Sequence, residues 1–361
     1  MLKILRGLSL ALATTLLVAC GGSGNSDNVS TAGGGAFMTA DPVFQTSQTE
    51  LDESLTCTPF ENPDKPPVLL VHGTVTTGTE QYTTFYTPLL VAAGFDVCAV
   101  TYPDRGLIDQ QISAEFVVNA LRQMRMQSGR RVAMIGHSQG ASMPRWALRF
   151  YPSAREAVQE FVLIAGPNHG TTISLPAELA GTLFAVLGLD ALPIGLVPEG
   201  LYQFGPGSNF VAAVNTLDET PGDIDYTNIY TLTDELVQPA TPVPTAALDF
   251  EQNNPRVSNM LLQDFCPLNI ADHLTIGTTD ALTFMLALDA ISNPGPADFE
   301  RAGGAQLCNM LPIDLAALAM PENVTGFLDI LADSLSTGAP DPHLSASEPP
   351  LRPFAQEALA Q

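Results

Sequence analysis

The string Gly136-His137-Ser138-Gln139-Gly140 fits the pattern G-x-S-x-G and offers one candidate nucleophile in a 361-residue chain. A serine hydroxyl is a weak nucleophile at neutral pH. It needs a histidine to take its proton and a carboxylate to orient that histidine and balance its charge. The pattern follows the apolar run Arg131–Ile135 and precedes a helix-like stretch, the context of a sharp strand-to-helix turn that lifts the serine above a sheet edge. In such an arrangement the chain order is serine, acid, histidine. Among the five histidines, His273 meets that order, because it follows the last strand-like run and precedes an apolar helix. His72 precedes the serine strand, His137 lies within the turn, His343 falls in an irregular tail, and His169 reads as structural or pocket-lining. Asp234, just beyond the run Tyr226–Leu232, is the candidate acid. Glu235 is its rival with a side chain expected to point the other way, and Asp272 is too near His273 in sequence to orient that ring easily. An oxyanion would need donors too. Gln139 supplies the N–H after the nucleophile, and Thr74, in His72-Gly73-Thr74, can offer both N–H and hydroxyl.

These residues need a frame to carry them. Apolar, β-rich runs at Pro67–Val71, Phe95–Thr101, Arg131–Ile135, Glu160–Ala165 and Tyr226–Leu232 alternate with helix-like runs at Thr84–Ala93, Ile108–Gln127 and Ala141–Phe150. In Ile108–Gln127, residues Ile112, Phe116, Val117, Ala120, Leu121 and Met124 recur at helical spacing. The alternation predicts βαβ units and a mostly parallel sheet covered on both faces. After Gly170 the rhythm breaks; the apolar run Leu179–Val197 reads as a cap over a pocket, within an insertion at about 170–220. Val257–Leu262 is strand-like, Ile276–Ile291 helical, and Asp314–Met320 and Val324–Leu335 suggest two helices in a C-terminal wrap, 312–361.

The first residues read as an address. Lys3 and Arg6 precede an apolar run from Gly7 to Ala19, short for a bilayer span and suited to a signal peptide. It ends in Leu17-Val18-Ala19-Cys20, which looks like a bacterial lipobox and makes 1–20 a lipoprotein signal with Cys20 as the lipid anchor. Gly21 at the next position implies the outer membrane, periplasmic or cell-surface; the alternative is an ordinary secretory signal. A Gly/Ser-rich linker over 21–40 leads to one domain, 41–361. Setting Cys20 aside leaves Cys57, Cys98, Cys266 and Cys308, an even set that in an exported chain reads as two disulfides. Cys57–Cys98 with Cys266–Cys308 is the most local pairing among those open. No C-x-x-C or His/Cys cluster suggests a metal. With 14 basic and 38 acidic residues the net charge is −24, of which residues 156–361 carry −23. Such a surface repels phosphate backbones and argues against nucleic-acid binding.

Longer stretches resemble a known family. Lys65-Pro-Pro-Val-Leu-Leu-Val-His-Gly-Thr-Val-Thr-Thr-Gly78, the Ser-Gln-Gly turn, Thr227-Asn-Ile-Tyr-Thr-Leu-Thr-Asp-Glu-Leu-Val-Gln-Pro239 and Cys266-Pro-Leu-Asn-Ile-Ala-Asp-His273 are similar to the serine lipases of the α/β-hydrolase family, in particular the lipase B group of Candida antarctica and its bacterial relatives. The likeness runs from about Leu55 to Leu311. It implies an α/β-hydrolase fold, a triad of Ser138, Asp234 and His273, an oxyanion hole at Thr74 and Gln139, and disulfides Cys57–Cys98 and Cys266–Cys308. The chain departs from the group in carrying His72 and His137, as ordinary bacterial lipases do, in lacking a third disulfide, and in a cap that does not align. The function expected is serine carboxylester hydrolysis, foremost of triacylglycerols, by a monomer that needs no cofactor and meets an ester or lipid substrate. Short-chain esters or an extracellular polyester would use the same residues, and a non-catalytic lipoprotein binding module on the same fold is the rival outside enzymology.

Overall fold

The structure is a computed structural model that describes residues 38–172, 197–310 and 343–360. The signal peptide, Cys20, most of the linker, the body of the apolar run Leu179–Val197 and the two C-terminal helices expected within 314–335 lie outside the described residues.

Seven strands form the main sheet: β1 (Leu55–Cys57), β2 (Val68–Val71), β3 (Val97–Val100), β4 (Val132–His137), β5 (Val158–Ile164), β7 (Asp225–Tyr230) and β8 (Val257–Leu261), in the spatial order β1-β3-β2-β4-β5-β7-β8. All neighbours run parallel except the edge strand β1, which pairs antiparallel with β3. A two-residue strand β6 (Val197–Pro198) pairs with β9 (Leu344–Ser345) in a separate ribbon.

The strands are apolar at nearly every position because both faces are covered. Alternate residues divide between the two sides: Leu69, Val71, Val132, Met134, Phe161 and Leu163 pack on one, Val68, Leu70, Ala133, Ile135, Val162 and Ile164 on the other. The first side is roofed by the helix Gln110–Ser128, whose N-cap Asp109 accepts the Gln111 N–H and whose C-cap Gly129 is left-handed at φ 70°. Phe116, Val117, Ala120, Leu121 and Met124 of the stripe expected from the spacing are buried there, and Ile112 is partly buried against the same core. So is the single tryptophan, Trp146, stacked on Phe210 at 5.1 Å and packed against Phe150 and Phe354.

Several boundaries differ from those expected. The stretch read as one helix over Ala141–Phe150 is two, Gln139–Ser142 and Pro144–Phe150, because Pro144 restarts the helix. The helix expected from Ile276 begins at Ala281, where Asp280 caps it by accepting the Thr283 N–H at 2.7 Å. In the tail, Pro353–Leu359 is helical, and Phe354 packs on Tyr151 as well as on the Trp146 cluster.

Two disulfides join Cys57 to Cys98 and Cys266 to Cys308. The first ties directly opposed residues of β1 and β3. The second fastens the loop that follows β8.

Candidate active site

β4 is buried along its whole length, and the chain turns into a helix immediately beyond it. Ser138 occupies the turn at φ 57° and ψ −121°, and its N–H donates to the Ile164 carbonyl at 2.9 Å. A non-glycine residue held there stores backbone strain, which the surrounding packing must enforce. The flanking glycines are what permit that packing. A Cβ on Gly136 would sit 1.8 Å from the Gly140 carbonyl oxygen, and one on Gly140 would sit 2.1 Å from the Val71 carbonyl oxygen.

Asp234 stands four residues beyond β7. Its Oδ1 accepts the N–H groups of Leu236 at 2.9 Å and Val237 at 2.7 Å, a local turn that aspartate side chains favour. His273 stands beyond β8, at the start of a short helix. Its Nδ1 lies 2.9 Å from Asp234 Oδ2 and 3.0 Å from Oδ1, and its Nε2 lies 2.9 Å from Ser138 Oγ. Asp234 and His273 are buried, and Ser138 is partly exposed. Burial opposes charge on both buried groups, but their mutual attraction and hydrogen bond outweigh it. The His273 ring is raised above its usual 6.5 and the Asp234 carboxyl is held below 3.8.

The two rival acids have other tasks. Asp272 caps the short helix, its Oδ1 accepting the Thr275 N–H at 2.8 Å. Glu235, expected to point away, instead turns its Oε2 to the backbone N–H of His273 at 3.1 Å.

On the opposite flank of β4, the loop after β2 brings Thr74 to Gln139. Thr74 Oγ1 donates to Gln139 Oε1 at 3.4 Å, and Gln139 Nε2 donates to the Gly106 carbonyl at 2.8 Å. Gln139 opens its helix, so its own N–H has no acceptor within that helix. The loop is braced from outside: the Val75 N–H donates to the Arg105 carbonyl at 2.7 Å, and the Arg105 guanidinium pairs with Glu80. His72 stacks on Tyr102 with ring centroids 3.8 Å apart, and the Tyr102 hydroxyl donates to the His72 carbonyl.

The remaining histidines fall elsewhere. His169 lies between two acceptors, the Thr245 carbonyl at 3.1 Å from Nδ1 and Glu219 Oε1 at 2.8 Å from Nε2, and it lines a separate cavity of about 420 Å³. His343 is exposed and faces Asp104 at 3.4 Å. His137 is buried, its Nε2 2.7 Å from the His273 carbonyl and its Nδ1 3.0 Å from Gln81 Nε2. Gln81 and the main-chain contact of Glu235 escaped sequence reasoning, since no pattern marks either. Among the described residues no group of three or more His, Cys, Asp or Glu side chains converges as a metal site.

The arrangement thus unites Ser138, His273 and Asp234 in one line of hydrogen bonds, with Thr74 and Gln139 together on the other side of the serine. Comparison with known proteins places the chain in a family. The sequence profile of the family described as Lipase (class 2) matches residues 65–255. Lipase B of Pseudozyma antarctica is 28% identical over 321 residues, covering 88% of this chain and 87% of that protein. The crystal structure of lipase B from Aspergillus fumigatus superposes with a TM-score of 0.74 at 25% identity, covering 88% of this chain and 74% of that one.

Proposed function

Because this chain belongs to the class 2 lipase family and is a carboxylic ester hydrolase, we propose that Ser138, His273 and Asp234 are its catalytic triad and that it hydrolyses acylglycerols. The observation that carries this reading is the unbroken line from Ser138 Oγ through His273 to Asp234, with both steps at 2.9 Å.

In the first half-reaction Ser138 Oγ attacks the ester carbonyl carbon while His273 Nε2 takes the hydroxyl proton. Asp234 holds Nδ1–H and stabilises the imidazolium as it forms. The carbonyl oxygen becomes an oxyanion facing Thr74 and the Gln139 N–H. The tetrahedral intermediate collapses as His273 passes its proton to the departing alcohol, which leaves an acyl group on Ser138. Water, deprotonated by His273, then attacks the acyl carbon and releases the acid. The strained turn and the anchored ring fix this geometry before substrate arrives, so little reorganisation is needed in the transition state.

Lipid is favoured over small soluble esters by the exposed apolar residues flanking His273 in sequence. Leu268 and Ile270 are 92% and 82% exposed on the loop that ends at His273, and Leu274 is exposed on its other side. Exposed apolar side chains on the loop that carries the proposed base suit a lipid substrate. The two disulfides fit an oxidising compartment, and we place the protein outside the cytoplasm, lipid-anchored through Cys20. Loss of fatty-acid labelling in Cys20→Ala tests the anchor.

The decisive assay is hydrolysis of nitrophenyl esters from acetyl to palmitoyl by the wild type and Ser138→Ala. Long-chain activity abolished by the substitution is the expected result. Activity confined to short chains makes the protein an esterase, and activity that survives Ser138→Ala removes the triad assignment.

A further inference from the structure

His137 is the residue before the nucleophile, yet its ring serves neither Ser138 nor the substrate side. It lies under His273, with ring centroids 5.0 Å apart. It is the third member of a chain of three hydrogen bonds: Gly73 N–H to Gln81 Oε1 at 2.8 Å, Gln81 Nε2 to His137 Nδ1 at 3.0 Å, and His137 Nε2 to the His273 carbonyl at 2.7 Å.

The direction of every bond is forced from both ends. Gly73 N–H can only donate, so the amide oxygen of Gln81 must face it and the NH2 must face His137. The His273 carbonyl can only accept, so the proton of the neutral His137 ring must be on Nε2. Nδ1 is then bare and accepts a hydrogen bond from the Gln81 amide N–H. A second proton on Nδ1 would meet the Gln81 NH2 head-on. Burial works the same way, pushing the ring's pKa down to about 3, with the charge of His273 adding to the effect. The chain of bonds therefore has one arrangement and no ionised form near neutrality.

Its ends are informative. Gly73 immediately precedes Thr74, and the His273 carbonyl belongs to the base. The loop after His273 wraps the ring so closely that a Cβ on Gly277 would sit 2.2 Å from His137 Cδ2. A buried ring that only filled space would be better apolar, since burying polar groups costs stability unless every one is bonded. Here every one is bonded, and the bonds join the two loops that flank Ser138.

We propose that His137, oriented by Gln81, is a positioning residue: the chain Gly73–Gln81–His137–His273 fixes the separation between the oxyanion loop and the main chain of the base, independently of the reacting atoms. This rests on the triad assignment above. The chain sets where the histidine backbone sits relative to Thr74, while Asp234 sets how its ring is turned.

The test is kinetic, on the whole protein with a soluble nitrophenyl ester. His137→Phe keeps a ring and loses both bonds. Its kcat is expected to fall about ten- to a hundredfold, as for a displacement of order 1 Å at a reacting group, with KM within about twofold. His137→Gln, whose amide N–H can reach the His273 carbonyl, is expected to restore a large part of kcat. Gln81→Leu should lose activity in the same way, and in combination with His137→Phe it should add little, because both act through one chain. Wild-type kcat in His137→Phe, a loss confined to KM, a loss not relieved in His137→Gln, or additive losses in the double variant would each overturn the proposal. If His137→Phe does not fold, Gln81→Leu decides, and wild-type kcat there overturns it. Ser138→Ala, assayed alongside, separates the two levels: activity remaining in that variant defeats the triad itself, whereas its absence leaves the triad standing and the positioning role to be decided by the His137 and Gln81 variants.

Discussion

Asp234 and Glu235, adjacent in sequence, grip the same residue at two places: Asp234 holds the His273 ring at 2.9 Å and Glu235 its backbone N–H at 3.1 Å. With His137 on the carbonyl and Ser138 on Nε2, each hydrogen-bonding group of His273 has a partner.

The two carboxylates should separate in mutagenesis. Asp234→Asn keeps the shape but favours the wrong ring tautomer, and kcat should drop on the order of 10⁴-fold, the size of the corresponding loss in the serine-protease triad. Glu235→Gln retains an acceptor for the His273 N–H, and kcat should stay within about threefold of wild type. Equal losses in the two would show that the ring is not oriented by Asp234 alone. Steady-state hydrolysis of a soluble ester measures both.

The pH profile follows from the sign of the His273 shift. The ring must be neutral to accept the Ser138 proton, and Asp234 raises its pKa above 6.5 despite burial. The acid limb of kcat/KM should therefore have its midpoint above pH 6.5 in the free enzyme. Ring resonances followed by NMR should show His273 titrating in that range. His137 and His72, lowered by burial to about 3 and about 4, should not titrate between pH 5 and 8. An acid limb near pH 5 would count against the assigned base.

Away from the site, Glu160 is buried on β5, accepting from the Thr227 hydroxyl at 3.1 Å. Burial pushes its carboxyl well above the usual range, with Asp225 adding to the effect. A carboxyl that binds its proton more tightly when folded contributes stability that is complete below its unfolded pKa and is lost as pH rises through the folded value. Glu160→Gln, isosteric and uncharged, should be more stable than wild type at pH 8, with the difference shrinking towards pH 4. Urea midpoints at the two pH values check this, and a difference independent of pH would refute it.

The two disulfides should differ in what they protect. Removing Cys57–Cys98 as the double alanine variant should cost about 2–4 kcal/mol while leaving kcat within about twofold, because β1 and β3 lie far along the sheet from β7 and β8. Removing Cys266–Cys308 loosens the loop that ends at His273, so both stability and kcat should fall. Denaturant unfolding and turnover measured on the same samples separate the two cases.

The sequence was most legible where local chemistry and strand order coincide. Ser138 stands out because only glycines fit at 136 and 140, and the proposed acid and base, Asp234 and His273, follow because strand ends bring them to one edge in a fixed order. What it concealed lies in contacts made across loops. Gln81 is one polar residue in a short helix, and nothing in its neighbourhood tells that its amide spans Gly73 and His137. Glu235 was expected to turn away by simple alternation, but the chain is already in a turn at Asp234, where alternation no longer applies. β1, three residues of mixed polarity, has too little pattern to be read as a strand. The tail helix Pro353–Leu359 is held by Phe354 on distant aromatic rings, a tertiary effect that propensity does not encode.

The burial of Trp146 gives the protein an intrinsic optical gauge. No other tryptophan contributes emission, and this indole sits eight residues beyond Ser138, between the Pro144–Phe150 helix, Phe210 and the tail ring of Phe354. Its spectrum reports on the dry side of the elbow and on the docking of the C-terminal helix together. A red shift that precedes loss of turnover on heating would mean the tail detaches first, and coincident curves would mean that the Pro353–Leu359 helix and the turn at Ser138 belong to one cooperative unit.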